Sequence, residues 1–226
     1  AVAGGGSEKP SCLGLEGGRQ DRACRAQLWR GRGAKDLRGH EGARDRGINP
    51  WHDLPAGRHP PDDVTAVIEI PRGSRNKYEL DKASGMIRLD RVLYSAVHYP
   101  GDYGFIPRTL HEDGDPLDVL VHINEPTFPG CQIDCRPLGV LRMRDRGEPD
   151  DKILAVPCHD PFYGEYFDIA DLSQHYLKEV EHFFHIYKDL EGKRVEAIGW
   201  EKSEVAARVI NESIVRYQQK FHQVGT

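Results

Sequence analysis

Three aspartates, Asp113, Asp115 and Asp118, fall within six residues of one another, and the chain between them contains a glycine and a proline. Carboxylates held this close repel one another and raise one another's pKa values. Hard divalent cations such as Mg²⁺ bind oxygen ligands of this kind and relieve the repulsion. The Val-Leu-Val run that follows indicates a buried strand that would anchor the loop, so this segment predicts a cation site.

Two other interpretations of the acidic motif remain open. An isolated D-x-D-x-x-D pattern also occurs as a solvated acidic turn, which is the ordinary explanation for such a match. A calcium EF-hand loop fits poorly, because Leu117, Asp118 and Asn124 stand where a ligand, the glycine and the glutamate would be required. The motif therefore needs support from the rest of the chain.

Charged side chains alternate with apolar ones in two predicted strands. Lys77 and Glu79 share one face of a strand whose other face carries Tyr78 and Leu80, since successive side chains point in opposite directions. In the preceding strand, Glu69 lies between two isoleucines and likewise opposes them. Taken alone, each of these charges is most simply explained as a solvent-facing strand position.

Two polar loops flank the acidic motif. Residues 99–107 form an aromatic segment with two glycines and two prolines, which indicates a rigid loop just before the motif. Residues 142–152 are expected to be a polar loop between two strands, and they contain Asp145, Asp150 and Lys152. Ordinary turn chemistry and a solvated hairpin tip are the alternatives for these two segments.

Hydrophobic periodicity predicts the elements that must position these residues. Strands are expected at residues 64–70, 75–81, 86–90, 119–123, 138–143, 153–156 and 194–200. Helices are expected at about residues 172–190 and 203–221, and Tyr187 and Lys188 end the first of them, where a lysine also favours the helix dipole. Strands first and helices last predict an α+β, mainly β fold, with a small closed barrel and two C-terminal helices packed outside.

Composition excludes several classes of protein. The chain has 226 residues, five cysteines and a net charge of −5, and no apolar run approaches the ~18 residues of a membrane span. Residues 1–46 carry ten Lys and Arg against six Asp and Glu, whereas residues 47–226 carry 21 against 30. The body therefore lacks the basic balance of a nucleic-acid-binding protein. The odd cysteine count, without zinc-site spacing, predicts reduced thiols in a cytoplasmic protein.

The N-terminal fifth of the chain differs from the rest. Residues 1–47 contain eleven of the 24 glycines, few apolar residues and no periodicity. We therefore expect a disordered or artefactual segment there. Order should begin near Asn49, and residues 48–226 are expected to form a single domain.

Taken together, these residues resemble the soluble Mg²⁺-dependent inorganic pyrophosphatases, which are built on a five-stranded OB-like closed barrel. Residues 113–119 match the D-x-D-P-x-D-V signature of that family. The flanking groups lie in the family's order and at similar spacing, at residues 77–79, 90–91, 103–105 and 187–189. The resemblance runs from about residue 49 to residue 221, so the predicted single domain would be a pyrophosphatase domain.

The resemblance implies a role for each matching residue. Metal-binding carboxylates would be Asp113, Asp118, Asp145, Asp150 and Glu69, with Asp118 bridging two ions and Asp145 and Asp150 facing a substrate-borne ion. The phosphate-binding set would be Lys77, Arg91, Tyr103, Lys152, Tyr187 and Lys188. Asp115 would orient or deprotonate the attacking water, with Lys77, Arg91 and Tyr103 as the other catalytic residues. Glu79 would be an outer-sphere partner and Tyr99 a supporting residue.

The resemblance also implies an activity and its partners. The reaction would be hydrolysis of pyrophosphate to two orthophosphates, which drives pyrophosphate-releasing biosynthetic reactions forward. Several Mg²⁺ ions per site would be the cofactors, with Mn²⁺ or Zn²⁺ as possible substitutes. A homo-oligomer is implied, with a hexamer favoured over a dimer, and no nucleic-acid or membrane partner. The alternative function is an OB-fold nucleic-acid-binding module without catalysis, which the acidic body disfavours.

Two residues depart from the family's common pattern. Arg146 follows Asp145, where it would weaken the outermost metal or add a phosphate contact. Asp102 precedes Tyr103 where asparagine is the commonest choice. We expect Asp102 to place one more negative charge near the site.

Overall fold

The computed structural model describes residues 47–221. The segment 1–46, for which the sequence predicts disorder, lies outside this range, as do the last five residues of the expected domain. The described part contains nine strands: β1 (Val64–Ile70), β2 (Asn76–Asp81), β3 (Met86–Val92), β4 (Asp102–Phe105), β5 (Asp118–Val121), β6 (Gln132–Asp145), β7 (Glu148–Pro149), β8 (Lys152–Pro157) and β9 (Val195–Lys202). Its α-helices are α1 (Pro50–Asp53), α2 (Gln174–Ile186) and α3 (Ser203–Phe221). The fold is thus mainly β with two long C-terminal helices, as predicted.

Five strands pair in a continuous circuit. β1 pairs with β4, β4 with β5, β5 with β8, β8 with β6, and β6 with β1. All of these pairs are antiparallel except β5 with β8, which is parallel. β7 and β9 extend the sheet beside β6, whereas β2 and β3 form a separate two-stranded hairpin.

β6 is much longer than the sequence predicted. Its first four residues, Gln132 to Cys135, pair with β1, and its last seven, Gly139 to Asp145, pair with β9. The expected polar loop over residues 142–152 is therefore wrong at its start. Residues 142–145 pair as a strand despite their polar composition. Only Arg146 and Gly147 form the turn before β7.

The central strands are buried on both faces. Leu120 of β5 and Leu154 of β8 pack in one apolar cluster with Val180 and Phe184 of α2. The alternating neighbours Val119, Val121, Ile153 and Ala155 pack in a second cluster with Ala206, Val209 and Ile210 of α3. Because each face of these strands meets a different helix, their sequences are continuous apolar runs rather than alternating patterns.

α2 is shorter than predicted because turns with their own hydrogen bonds precede and follow it. Ser173 caps its N-terminus, with the hydroxyl accepting a hydrogen bond from the amide of His175 at 3.2 Å. Before the cap lies the 3₁₀ turn Ile169–Asp171, and after the helix lies another at Asp189–Glu191. Tyr187 and Lys188 therefore follow the last helical turn directly, as the sequence indicated.

Strand β4 was predicted as a loop, because Pro100, Gly101 and Gly104 are typical of turns. Gly104 instead permits a close approach between strands. A Cβ atom at this position would lie 1.9 Å from the carbonyl oxygen of Val67 in β1. Tyr103, a predicted site residue, is next to this contact, so the glycine helps to place the tyrosine.

Gly104→Ala should destabilise the fold. The added methyl group would meet backbone atoms of β1, which cannot move without disturbing the pairing of β1 with β4. Overpacking of this kind costs about 1–3 kcal/mol, and the upper end is expected here. Urea unfolding measures the loss, with Gly164→Ala as the control, because a methyl group there meets its nearest atom at 3.7 Å. Equal midpoints for the two variants would contradict this account of β4.

Candidate active site

The acidic loop is a tight turn stabilised by its own backbone. The amide of His111 donates to the carbonyl of Asp115 at 2.7 Å, and the amide of Gly114 donates to the carbonyl of His111 at 3.1 Å. The amide of Asp115 donates to the Oδ1 atom of Asp113 at 3.0 Å. These bonds hold the first two aspartates in one turn and deliver the chain to β5, whose first residue is Asp118.

The parallel pairing of β5 with β8 places a lysine among the carboxylates. Asp118 is in register with Lys152, and the Lys152 ammonium contacts the carboxylates of both Asp118 and Asp150. Lys152 is only 3% exposed. Burial alone would lower its pKa, but the two carboxylates outweigh burial and raise the pKa. For Asp150, burial alone would raise the pKa, but the contact with Lys152 lowers that pKa overall.

Asp113, Asp118, Asp150 and Glu69 are referred to below as the carboxylate cluster. Two of these groups, Glu69 and Asp113, are destabilised as anions. Burial raises the pKa of Glu69 to about 8, and the Asp118 carboxylate adds to the increase. The Oε1 atom of Glu69 accepts a hydrogen bond from the amide of Leu80 at 2.6 Å, which opposes the shift. Burial also raises the pKa of Asp113, with Asp118 contributing. The solvent-facing explanation of Glu69 is therefore wrong, since the residue is 9% exposed.

The β2–β3 hairpin supplies two cations. Its register places Lys77 opposite Arg91. The Lys77 ammonium contacts the carboxylate of Glu79 and lies 3.7 Å from that of Asp90. The Arg91 guanidinium contacts Asp90, and its Nε atom donates to Glu191 at 2.8 Å. Both predicted phosphate-binding residues are thus held in place by acidic partners.

A fourth cation and three tyrosines complete the site. The Lys188 ammonium donates to the Oδ2 atom of Asp145 at 2.7 Å. The ring centroid of Tyr103 lies 5.4 Å from that of Tyr99 and 5.9 Å from the Lys152 ammonium. Burial raises the pKa values of Tyr99, Tyr103 and Tyr187 well above the ordinary value. These tyrosines therefore remain neutral hydrogen-bond donors at physiological pH.

Comparison with known proteins agrees with this arrangement. The family model described as inorganic pyrophosphatase matches residues 66–218. The inorganic pyrophosphatase of Haloferax volcanii is 48% identical over 77% of this chain and 99% of its own. That of Geobacillus stearothermophilus is 55% identical over 70% of this chain and 95% of its own. The chain belongs to the inorganic pyrophosphatase family.

A solved structure of the family has the same fold. The crystal structure of inorganic pyrophosphatase from Thermus thermophilus superimposes with a TM-score of 0.73 at 44% identity. The match covers 76% of this chain and 99% of that chain. The pyrophosphatase fold therefore accounts for nearly all of the described residues.

The carboxylate cluster has the chemistry of a divalent-cation site, although its members are not yet in coordination geometry. Among residues 47–221, no three His, Cys, Asp or Glu side chains converge closely enough to hold an ion. Lys152 contacts two of the carboxylates instead. The remaining oxygens are hard ligands, and the raised pKa values of Glu69 and Asp113 mark negative charge that a cation would stabilise. The donor set thus fits hard divalent ions.

Asp102 does not act as the sequence suggested for this pyrophosphatase. Its buried carboxylate accepts from the amide of Arg72 at 2.7 Å and from the amide and hydroxyl of Thr127 at 2.9 and 2.5 Å. As neighbours in β4, Asp102 and Tyr103 lie on opposite faces of the strand. The extra charge is therefore compensated by loop donors rather than directed into the site. Arg146 is exposed in the turn before β7 and has a left-handed backbone, with φ of 53°.

Sequence reasoning missed four residues that contact the site. Lys82, in the β2–β3 turn, contacts the carboxylate of Asp115. Glu191 binds Arg91, and His111 and Asp151 lie against the two acidic segments. A lone charged residue in a turn gives no pattern in a single sequence, so only the pairing of distant segments reveals these contacts.

Two variants test the different roles that the sequence predicted for Asp118 and Arg91. Asp118→Ala should weaken Mg²⁺ binding by more than about tenfold, because losing an outer-shell partner alone typically costs 10- to 100-fold. Arg91→Ala should keep Mg²⁺ affinity and lower kcat/KM, because Arg91 contacts no carboxylate of the cluster. Calorimetric Mg²⁺ titration and phosphate-release kinetics measure the two effects. Parent-like Mg²⁺ affinity in Asp118→Ala would overturn the assignment.

Proposed function

We propose that this chain hydrolyses inorganic pyrophosphate to two orthophosphates at the site between the acidic loop and the β2–β3 hairpin. One observation carries the proposal: carboxylates for cations and cations for phosphate lie side by side in a chain of the pyrophosphatase family. The activity would draw pyrophosphate-releasing biosynthetic reactions forward by removing their product.

The cationic residues would bind the substrate. Pyrophosphate is strongly anionic at neutral pH and therefore needs several positive partners. Lys77, Arg91 and Lys188 now contact Glu79, Glu191 and Asp145, which hold their long side chains in place. Arg91 can form a forked contact with phosphate oxygens, whereas the lysines act as point charges. Lys77 and Tyr103 would hold the electrophilic phosphoryl group, and Arg91, Tyr187 and Lys188 would stabilise charge on the leaving phosphate.

Asp115 would position the attacking water and accept its proton. Its side chain is 58% exposed, so it is more open to solvent and substrate than those of Asp118 and Asp150. Its carboxylate contacts the ammonium group of Lys82. A base must lie within hydrogen-bond reach of the proton that it abstracts, and an exposed carboxylate beside the cation site meets that need.

Mg²⁺ ions would complete the site, with Mn²⁺ or Zn²⁺ as possible substitutes. The residues that would hold them are Asp113, Asp118, Asp145, Asp150 and Glu69, with Glu79 in the outer sphere. When bound, such ions neutralise substrate charge and make an attacking water more acidic. Lys152 would turn from its carboxylate partners towards phosphate, and Tyr99 would support Tyr103 through ring contact.

The five paired strands support the interpretation of the fold as an OB-like closed barrel. The circuit from β1 through β4, β5, β8 and β6 back to β1 leaves no free edge among these strands. We extend this to a single pyrophosphatase domain over residues 48–226.

The alternative of a nucleic-acid-binding module is not favoured, because Lys77, Arg91, Lys152 and Lys188 are each paired with a carboxylate. Within residues 47–221, no helix is long and apolar enough to cross a membrane. A cytoplasmic location, which cell fractionation would check, is proposed from the reduced-thiol pattern of the sequence.

The protein is proposed to be a homo-oligomer, with a hexamer favoured over a dimer. Met86, Leu89 and Val92 of β3 are 68%, 50% and 48% exposed, and Tyr94 follows them at 64%. Exposed apolar side chains grouped on one strand are typical of interaction surfaces. Sedimentation velocity at pH 7.5 should give a mass about six times that of the chain. A monomer would contradict the proposal. If β3 forms the contact, Leu89→Asp should weaken the assembly.

Asp115→Asn tests the centre of the mechanism. The change keeps the size of the side chain but removes its charge and proton acceptor. If Asp115 is the base, kcat should fall by roughly 10²- to 10⁴-fold, and it should partly recover as rising pH supplies hydroxide. Phosphate release measures kcat, and binding of a non-hydrolysable pyrophosphate analogue should be unchanged. Asp62→Asn, an exposed aspartate outside the site, is the control. A parent-like kcat in Asp115→Asn across pH 6–9 would exclude Asp115 as the base. A parent chain that releases no phosphate from pyrophosphate would exclude the proposed hydrolysis.

A further inference from the structure

Two buried polar residues outside the proposed reaction connect the two segments that carry its carboxylates. His111 and Asp151 are 5% and 4% exposed. The amide of Asp151 donates to the Nε2 atom of His111 at 3.3 Å, and the Asp151 carboxylate lies 3.9 Å from the same nitrogen. His111 begins the acidic loop, and Asp151 lies between Asp150 and Lys152. This is a direct contact between the two acidic segments.

On the loop side, the backbone fixes His111 rigidly. Its amide and carbonyl both bond within the turn, to Asp115 at 2.7 Å and to Gly114 at 3.1 Å. The Nε2 atom of the same ring accepts the amide of Asp151, which joins this fixed turn to the second acidic segment. Movement of the imidazole would therefore move the turn that holds Asp113 and Asp115.

On the strand side, Asp151 is fixed as firmly. Its Oδ2 atom accepts from the Nη1 atom of Arg142 in β6 at 2.7 Å. The amide of the preceding residue, Asp150, donates to the carbonyl of Met143 in β6 at 2.9 Å. In an extended segment, neighbouring side chains point in opposite directions, so Asp151 faces His111 while Asp150 and Lys152 face the cluster.

We propose that His111 and Asp151 are positioning residues, whose contact sets the separation between the acidic loop and Asp150 and thereby the affinity for divalent cations. The carboxylates of Asp113, Asp118 and Asp150 repel one another and, without a restraint, would spread the two segments apart. The bond from Asp151 to His111 opposes that movement without adding charge to the cluster. It also satisfies a buried amide that would otherwise lack an acceptor, so losing the ring nitrogen would favour separation of the segments. The inference rests on the metal-binding role proposed for these carboxylates.

The first test removes the acceptor and then restores it. His111→Phe keeps a planar ring but removes Nε2, whereas His111→Gln can place an amide oxygen where Nε2 stands. Calorimetric Mg²⁺ titration without substrate should show an affinity about tenfold weaker for the phenylalanine variant, at the lower end of the 10- to 100-fold typical of outer-shell partners. The glutamine variant should recover most of that loss. Urea unfolding of each variant records its stability separately.

A matched control separates positioning from general destabilisation. His122 is a partly buried histidine just after β5, where its ring centroid lies 4.0 Å from that of Tyr176 and 5.0 Å from that of Tyr163. Burial lowers its pKa to about 4. His122→Phe therefore removes a neutral histidine that lies outside the contact between the two acidic segments. This variant should lose stability and keep parent-like Mg²⁺ affinity. An equal loss of Mg²⁺ affinity in both phenylalanine variants would overturn the proposal.

A second variant keeps the test decisive if His111→Phe does not fold. Arg142→Met removes the side-chain partner of Asp151 at a position that is 41% exposed. Losing a positive charge would by itself strengthen cation binding, so weaker Mg²⁺ binding would report a change of position. Unchanged or stronger Mg²⁺ binding in Arg142→Met, or unchanged affinity in His111→Phe, would refute the inference. A parent that binds Mg²⁺ but releases no phosphate would exclude the proposed function and leave these affinity comparisons decisive for His111.

Discussion

Mutual repulsion among closely spaced carboxylates is the constraint on which this structure depends. Burial raises the pKa values of Glu69 and Asp113, and the nearby Asp118 carboxylate raises both further. Left alone, such a cluster would protonate or spread apart. In the free chain, Lys152 compensates two of the charges, and a hard cation could compensate more of them. Holding these carboxylates together lowers the stability of the fold, and a bound cation would relieve the same repulsion.

The strand pairing resists this repulsion because it is built from apolar contacts on both faces. β5 and β8 carry Asp118 and Lys152 at their first residues, and the residues that follow pack against α2 on one side and α3 on the other. Each buried leucine or valine contributes about 1.5–3 kcal/mol, so the apolar residues of these strands stabilise the pairing that holds the two charged residues together. Both helices are therefore needed to hold the charges, although only the end of α2 reaches the site.

The sequence predicted long periodic elements well and long-range pairing poorly. α3 and β1 were predicted with the bounds that the structure shows, because hydrophobic spacing is continuous in both. β4 was missed because Gly104, which β1 requires at close range, is also a turn residue. The contacts of Lys82 with Asp115 and of Asp151 with His111 join residues 33 and 40 positions apart, and no local pattern encodes them. The site's residue types were predictable, but their partners were not.

Pairing each cation that we propose for phosphate binding with an acid has a consequence for substrate affinity. Lys77, Arg91 and Lys188 are already ordered by Glu79, Glu191 and Asp145, so much of their rotamer entropy is lost during folding rather than on binding. The same acidic partners compete with phosphate for these cations, which limits the binding free energy that each phosphate contact contributes. Glu191 is the most buried of these acids, with 5% of its side chain exposed, and it holds Arg91 and Lys193 together. Because that carboxylate cannot easily be released to water, Arg91 should meet phosphate with its terminal nitrogens while Nε stays bound to Glu191.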